Sequence, residues 1–181
     1  MSFEPTIIRG QVFNDSRGFF AEVLKDFGFV QINMSWSKRG TVRGIHAQRR
    51  MDKAMWLASG KATIFAVNLD PASALFGKVI AEEMTSGDGK VFYAPWWWGR
   101  GFIAHEDASV VYATTDIYRP EHEIAIAYTS IPEVEAVIKG TSLNLIVSEK
   151  DQKANAFGTA ETIAALRDWK RVGDEIEFDE A

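Results

Sequence analysis

Short runs that are apolar, or that alternate apolar and polar residues, fill the first three-quarters of the chain, with Gly, Pro or Asp between them. Gly18 to Leu24 and Phe29 to Trp36 are rich in aromatic and branched side chains and partly alternate, a strand signature. Lys38-Arg39-Gly40 reads as a turn before a strand over Thr41 to Gln48. Ala54 to Ala58 and Ala62 to Leu69 read as strands joined by a tight turn at Ser59-Gly60-Lys61, the second ending at Asp70-Pro71. Val79 to Met84 and Lys90 to Ala94 flank another turn, Ser86-Gly87-Asp88-Gly89. Gly101 to Ala104, Ala108 to Thr115 and Ile124 to Tyr128 complete the set. Many short, punctuated strands predict an antiparallel sandwich or barrel.

Only the end of the chain reads as helical. Ala160 to Lys170 places Ile163, Leu166 and Trp169 three residues apart, behind Thr159 as a possible N-cap. The closing stretch, Asp174 to Glu180, is acidic and is expected at the periphery. There is no internal repeat, low-complexity segment or linker, so residues 1–181 are expected to form a single domain.

Composition narrows the function classes. Hydrophobic residues make up 46% and charged residues 25%, as in ordinary globular proteins. A net charge of −5 disfavours nonspecific nucleic-acid binding. The absence of cysteine excludes disulfides, thiolate metal sites and cysteine nucleophiles, and fits a cytoplasmic location. No basic-then-apolar leader and no membrane-length apolar run is seen, so no membrane partner is expected. Six Trp and twelve Phe fit either a sheet-rich core or a stacking pocket.

Several chemistries fail on motif grounds. His46, His105 and His122 are the three histidines, and no two lie at a spacing that places them on one face of a strand or helix, so no metal is expected. Phosphate-cradling glycine loops and the G-x-S-x-G nucleophile motif are absent. Proton transfer remains. His46 sits between apolar neighbours in Arg43-Gly44-Ile45-His46-Ala47-Gln48, with Arg43 before it and Lys53 after it. A histidine base with cations nearby is the minimum for taking a proton from carbon and holding the charge that develops. The plainer readings stay open: a core histidine bonded to backbone, Lys53 as a solvated surface charge, Tyr112 as strand packing and Asp151 as a turn cap. Pro95-Trp96-Trp97-Trp98-Gly99-Arg100-Gly101-Phe102 is either a bulged strand end with Trp filling volume, or a stacking rim with Arg100 facing an anion.

Taken in order, these pieces resemble the dTDP-4-dehydrorhamnose 3,5-epimerases, sugar-nucleotide enzymes of the cupin class. Asp15 to Glu22 resembles D-x-R-G-x-F-x-E, Val30 to Ser35 resembles V-Q-x-N-x-S, and Val42 to Gln48 is similar to L-R-G-L-H-x-Q. Lys53 with Gly60, Tyr112 to Pro120, Glu123, and Val147 to Asp151 continue the likeness, which spans about residues 15–151. The resemblance implies an all-β fold, a double-stranded β-helix (the cupin jelly roll) with a short C-terminal helical segment.

The resemblance also implies roles. His46 is the expected base, oriented by Asp151; Tyr112 is the expected acid on the opposite face of the sugar; Lys53 is expected to stabilise the enolate oxygen. Arg17, Glu22, Gln31, Asn33, Arg43, Glu123 and Lys150 are expected to contact a nucleotide-diphosphate sugar, in sites shared across a homodimer, with no cofactor and no metal. One position departs: the family's loop reads roughly P-x-G-x-x-H-G-F, and here its histidine is Arg100 and its glycine Trp97. Arg100 remains able to donate to a keto oxygen or a diphosphate, but it cannot exchange protons near neutrality. The expected activity is inversion at C3, C5 or both of a 4-keto-6-deoxy sugar on an altered substrate wall. A 3,4-ketoisomerase and a noncatalytic sugar-nucleotide-binding cupin are the alternatives.

Overall fold

The computed structural model describes residues 4–25 and 28–175. The strands are β1 (Thr6–Arg9), β2 (Gln11–Asp15), β3 (Gly18–Glu22), β4 (Gln31–Ser37), β5 (Thr41–Gln48), β6 (Lys53–Ser59) and β7 (Lys61–Asn68). They continue as β8 (Val79–Thr85), β9 (Lys90–Ala94), β10 (Trp98–Ala104), β11 (Ala108–Thr114), β12 (Glu123–Ala125) and β13 (Ile146–Val147). The α-helices are α1 (Pro132–Gly140), α2 (Glu149–Gln152) and α3 (Ala160–Glu175).

One sheet has the order β1-β9-β6-β11-β4 and the other β12-β5-β10-β7-β8, with β13 added in parallel beside β5. From β4 to β12 the chain crosses between the sheets at every connection but β7 to β8, so the sheets are wound together. This is the jelly roll expected from the resemblance. β2 and β3 form a separate hairpin.

Alternation along the strands produces two apolar layers. Met55, Leu57, Ile64, Ala66, Phe92, Phe102 and Val110 meet between the sheets. On its other face the β12-β5-β10-β7-β8 sheet presents Val42, Ile45, Phe65, Val67 and Ile103 to Ile131, Val134 and Ile138 around α1 and to Leu166 and Trp169 of α3. β7 is therefore covered on both faces, which explains its nearly unbroken apolar run.

Most expected strands form within a residue or two of their expected limits. Two depart further: β10 begins three residues before Gly101, and the stretch Ile124 to Tyr128 is cut short. The strand ends at Ala125, Ile126 still exchanges backbone hydrogen bonds with Ile45, and a 3₁₀ turn over Tyr128–Ser130 follows. β1 and β2 were not expected, because they are short and only partly apolar. The expectation that only the end is helical fails at α1. There Pro132 occupies the first turn, a favoured position, and Val134 and Ile138 fall four apart on the buried side. Thr159 does cap α3, its Oγ1 accepting the Thr162 N–H at 3.1 Å. Residues 176–180 of the acidic closing stretch lie outside the described residues.

Candidate active site

The site is a cavity of about 270 Å³ between the two sheets, lined by Ser35, Arg43, Gly44, His46, Lys53, Met55, Arg100, Gly101, Phe102, Tyr112, Ser148, Lys150 and Asp151. β5 brings in its residues through a bulge. Simple alternation would put Arg43 and His46 on opposite faces, since they are three apart. Against β10, however, Arg100 pairs with His46 and Phe102 with Arg43, so one extra residue lies between. Both side chains thus reach the cavity while Val42, Ile45 and Ala47 pack on the far side. Gly44 permits this. Its φ is +103°, and a Cβ there would lie 2.6 Å from the Arg100 carbonyl oxygen.

His46 Nε2 lies 2.6 Å from Asp151 Oδ1. An ionised carboxylate only accepts, so Nε2 donates, and in the neutral imidazole the lone pair is then on Nδ1. No hydrogen bond reaches Nδ1 from the described residues. Asp151 is buried, at 5% exposure. Burial pushes its carboxyl up, but the hydrogen bond and charge of His46, the Ser148 hydroxyl and the Gly44 backbone outweigh this and hold it below the usual carboxylate range. Ser148 caps α2, accepting the Asp151 N–H at 3.1 Å, and so sets the carboxylate against the imidazole.

Tyr112 enters from the other sheet. Burial raises its phenol above the usual tyrosine range, Arg43 opposing and Glu123 adding to the shift, so it carries a proton at neutral pH. Lys53 Nζ lies 5.4 Å from the Tyr112 ring centroid. Burial and the charge of Arg100 push Lys53 down to about 7, with Glu123 opposing.

The other expected residues divide into two groups. Arg43 lines the cavity and donates from Nε to Ser37 Oγ at 3.0 Å. Lys150 also lines it and pairs with Glu123, which accepts from Tyr118 Oη at 3.2 Å. Gln31 and Asn33 are joined at 2.8 Å on β4, on the face of that sheet from which Tyr112 projects, but outside the cavity lining. Arg17 and Glu22 sit on the β2–β3 hairpin away from the cavity, paired with Asp15 at 2.6 Å and Lys25 at 2.7 Å.

Arg100 is in the cavity wall, but its terminal nitrogens are occupied by backbone. Nη1 donates to the carbonyls of Pro95 (3.0 Å), Trp96 (3.2 Å) and Trp98 (2.8 Å), and Nη2 to that of Met51 (3.2 Å). Trp98 is fully buried, and Trp96 packs on Trp169 at 5.2 Å between ring centroids. These two tryptophans fill volume rather than form a rim. Ser35, Met55, Phe102 and Ser148 also line the cavity and were not expected; only Ser148, a capping residue ahead of Glu149-Lys150-Asp151, carried a local signal. Among the described residues no three His, Asp or Glu side chains cluster so as to hold a metal ion.

The family model for dTDP-4-dehydrorhamnose 3,5-epimerase matches residues 4–159. The dTDP-4-dehydrorhamnose 3,5-epimerase of Pseudomonas aeruginosa is 33% identical, over 88% of this chain and 91% of that protein. The crystal structure of the Sulfolobus tokodaii enzyme of the same name has a TM-score of 0.73 at 30% identity, covering 84% of this chain and 89% of that one. A Legionella pneumophila dTDP-6-deoxy-D-glucose-3,5-epimerase, solved in complex with dTDP-4-keto-L-rhamnose, has a TM-score of 0.74 at 26% identity, covering 87% of this chain and 91% of that one. By motif, fold and relatives alike, the chain belongs to the dTDP-4-dehydrorhamnose 3,5-epimerase family.

Proposed function

We propose that this chain is an epimerase that inverts C3, C5 or both of a nucleotide-diphosphate-linked 4-keto-6-deoxy sugar. The observation that carries the reading is the opposition of two proton-transfer groups across one cavity. An oriented imidazole stands on one sheet and a protonated phenol on the other. A hydrogen on carbon beside a ketone becomes acidic when the enolate is stabilised as it forms. His46 Nδ1 takes that proton, and Asp151 supports the imidazolium. Lys53 stabilises the charge on the ketone oxygen. Tyr112 then delivers a proton to the opposite face of the carbon, which inverts it. His46 and Tyr112 recover their starting protonation states through solvent.

Arg43 and Lys150, at the cavity wall, are the donors suited to the diphosphate. Two observations support a homodimer with shared sites. Edge strand β4 exposes Ile32 (69%), Met34 (69%) and Trp36 (55%), and the β2–β3 hairpin exposes Phe13 and Phe20. Arg17 and Glu22, remote from their own cavity, would then serve the partner's. A cytoplasmic location fits a cysteine-free chain and a charged substrate that does not cross membranes.

The test is uptake of solvent deuterium at C3 and C5 across 4-keto-6-deoxy sugars carried on dTDP, GDP and CDP. Uptake accompanied by a new epimer in the NMR spectrum is expected for at least one. No uptake from any of them overturns the reading.

A further inference from the structure

Charge in the cavity is unevenly compensated. Asp151 is committed to His46, and Glu123 to Lys150 and Tyr118. The Lys53 ammonium donates to no hydrogen-bond or ion-pair partner among the described residues; it lies 5.4 Å from the Tyr112 ring centroid. The second interior cation, Arg100, is 4% exposed and held on the carbonyls of Met51, Pro95, Trp96 and Trp98. Arg100 and His46 are register partners on β10 and β5, so their side chains leave neighbouring strands on one face. One cation is therefore anchored on four carbonyls, and the other has no hydrogen-bond partner for its side chain among the described residues.

We propose that Arg100 is a positioning residue whose fixed charge holds Lys53 ready to release a proton, and that Lys53 passes that proton to the ketone oxygen as the enolate forms. The inference rests on the epimerase reading above. As His46 removes the proton from carbon, the C–H electron pair becomes the new C=C bond. The carbonyl π pair moves onto oxygen, and the Lys53 ammonium gives a proton to that oxygen. The species between the two carbon steps is then a neutral enol facing a neutral amine. As Tyr112 protonates carbon, the enol O–H proton returns to Lys53 and the ketone re-forms.

The charged and titratable groups that line the cavity with Lys53 are Arg43 and His46 on β5, Arg100 on β10, Tyr112 on β11, and Lys150 and Asp151 on α2. Arg100 and, from β12, Glu123 act on its charge in opposite directions. Asp52, which accepts from the Tyr93 hydroxyl, and Tyr93 itself favour the Arg100 charge. Desolvation lowers Arg100 to about 10, so it remains charged at neutral pH, where Lys53 at about 7 exchanges.

The experiment follows the Lys53 side-chain carbon by NMR in ligand-free protein carrying ¹³Cε-lysine, with Lys53→Met assigning the signal. Titration near 7 is expected in the wild type. Arg100→Met is expected to move it upward by about one pH unit, and to move the alkaline limb of deuterium uptake by the same amount while the acid limb stays in place. Arg100→Lys, which keeps a charge, is expected to leave that limb near the wild-type position. A purely structural Arg100 would lower the rate without moving the limb, and that result overturns the proposal. So does a wild-type Lys53 that titrates near 10.5, a measurement that needs no variant to fold. The titration needs no substrate, so a failed proposal is distinguishable from a failed epimerase reading.

Discussion

The sheet that carries His46 and the sheet that carries Tyr112 are finished differently. Behind His46, β5, β10 and β7 are covered by α1 and α3, and the imidazole is paired with a buried carboxylate. Behind Tyr112, cover is partial: Ile8, Val23, Leu24, Phe29 and Trp56 pack on Ala54, Val91 and Tyr93, but β4 ends the sheet with three large apolar side chains in solvent. Neither the Tyr112 hydroxyl nor the Lys53 ammonium has a hydrogen-bond partner among the described residues. The His46 side is preorganised within one chain. The Tyr112 side keeps its polar groups unpaired among the described residues and its edge uncovered. A proton-abstracting group gains from a fixed tautomer, whereas groups that give protons to a substrate must not spend them on the protein.

The largest effect that could break this contrast lies on the preorganised side. His46→Ala is expected to lower turnover by roughly 10²–10⁴ while nucleotide-sugar affinity, measured by calorimetry, is largely kept; an equal loss of both would favour a binding module. Tyr112→Phe separates the two sides more finely. His46 can still take a proton and return a deuteron to the same face, so deuterium uptake should persist while the new epimer vanishes from the NMR spectrum. If epimer formation survives, the acid lies elsewhere. Met34→Glu tests the uncovered edge, and sedimentation should show a shift from dimer to monomer with partial loss of activity.

The smallest effect is on stability. Lys53 binds a proton in the unfolded chain up to about 10.5 but in the folded chain only up to about 7. The unfolded state therefore holds more protons between those values, and stability rises with pH across that window. Lys53→Met should flatten the rise and raise the melting temperature at pH 6, by about 2–4 °C for each kcal/mol of relieved burial cost, while lowering activity. A variant that melts at or below the wild-type temperature there would show that the lysine is not strained by its surroundings.

Alternation and turn residues made most of both sheets legible, because each strand buries a face that the pattern marks. α1 was hidden by its length and by Pro132, which reads as a breaker and acts as a first-turn residue. His46, Lys53 and Tyr112 could be picked out as residue types, but their convergence could not. Asp151 is 105 positions from His46, and only the family likeness tied them. Arg43 and His46 share the cavity through a bulge that regular alternation conceals. Arg100 was legible as a departure, while its use as an anchor for four backbone carbonyls depends on a loop path that no periodicity encodes.

The family match stops at residue 159, one position before α3 begins. Yet Trp169 rests on Trp96, donates its indole N–H to the His122 carbonyl at 2.8 Å, and accepts from Arg49 Nε at 3.0 Å through its own carbonyl. This appendage is thus a buttress, pressed against the outside of the loop that grips Arg100. A chain trimmed to the matched span would keep every reacting group and lose the backing that holds one wall of the chamber upright.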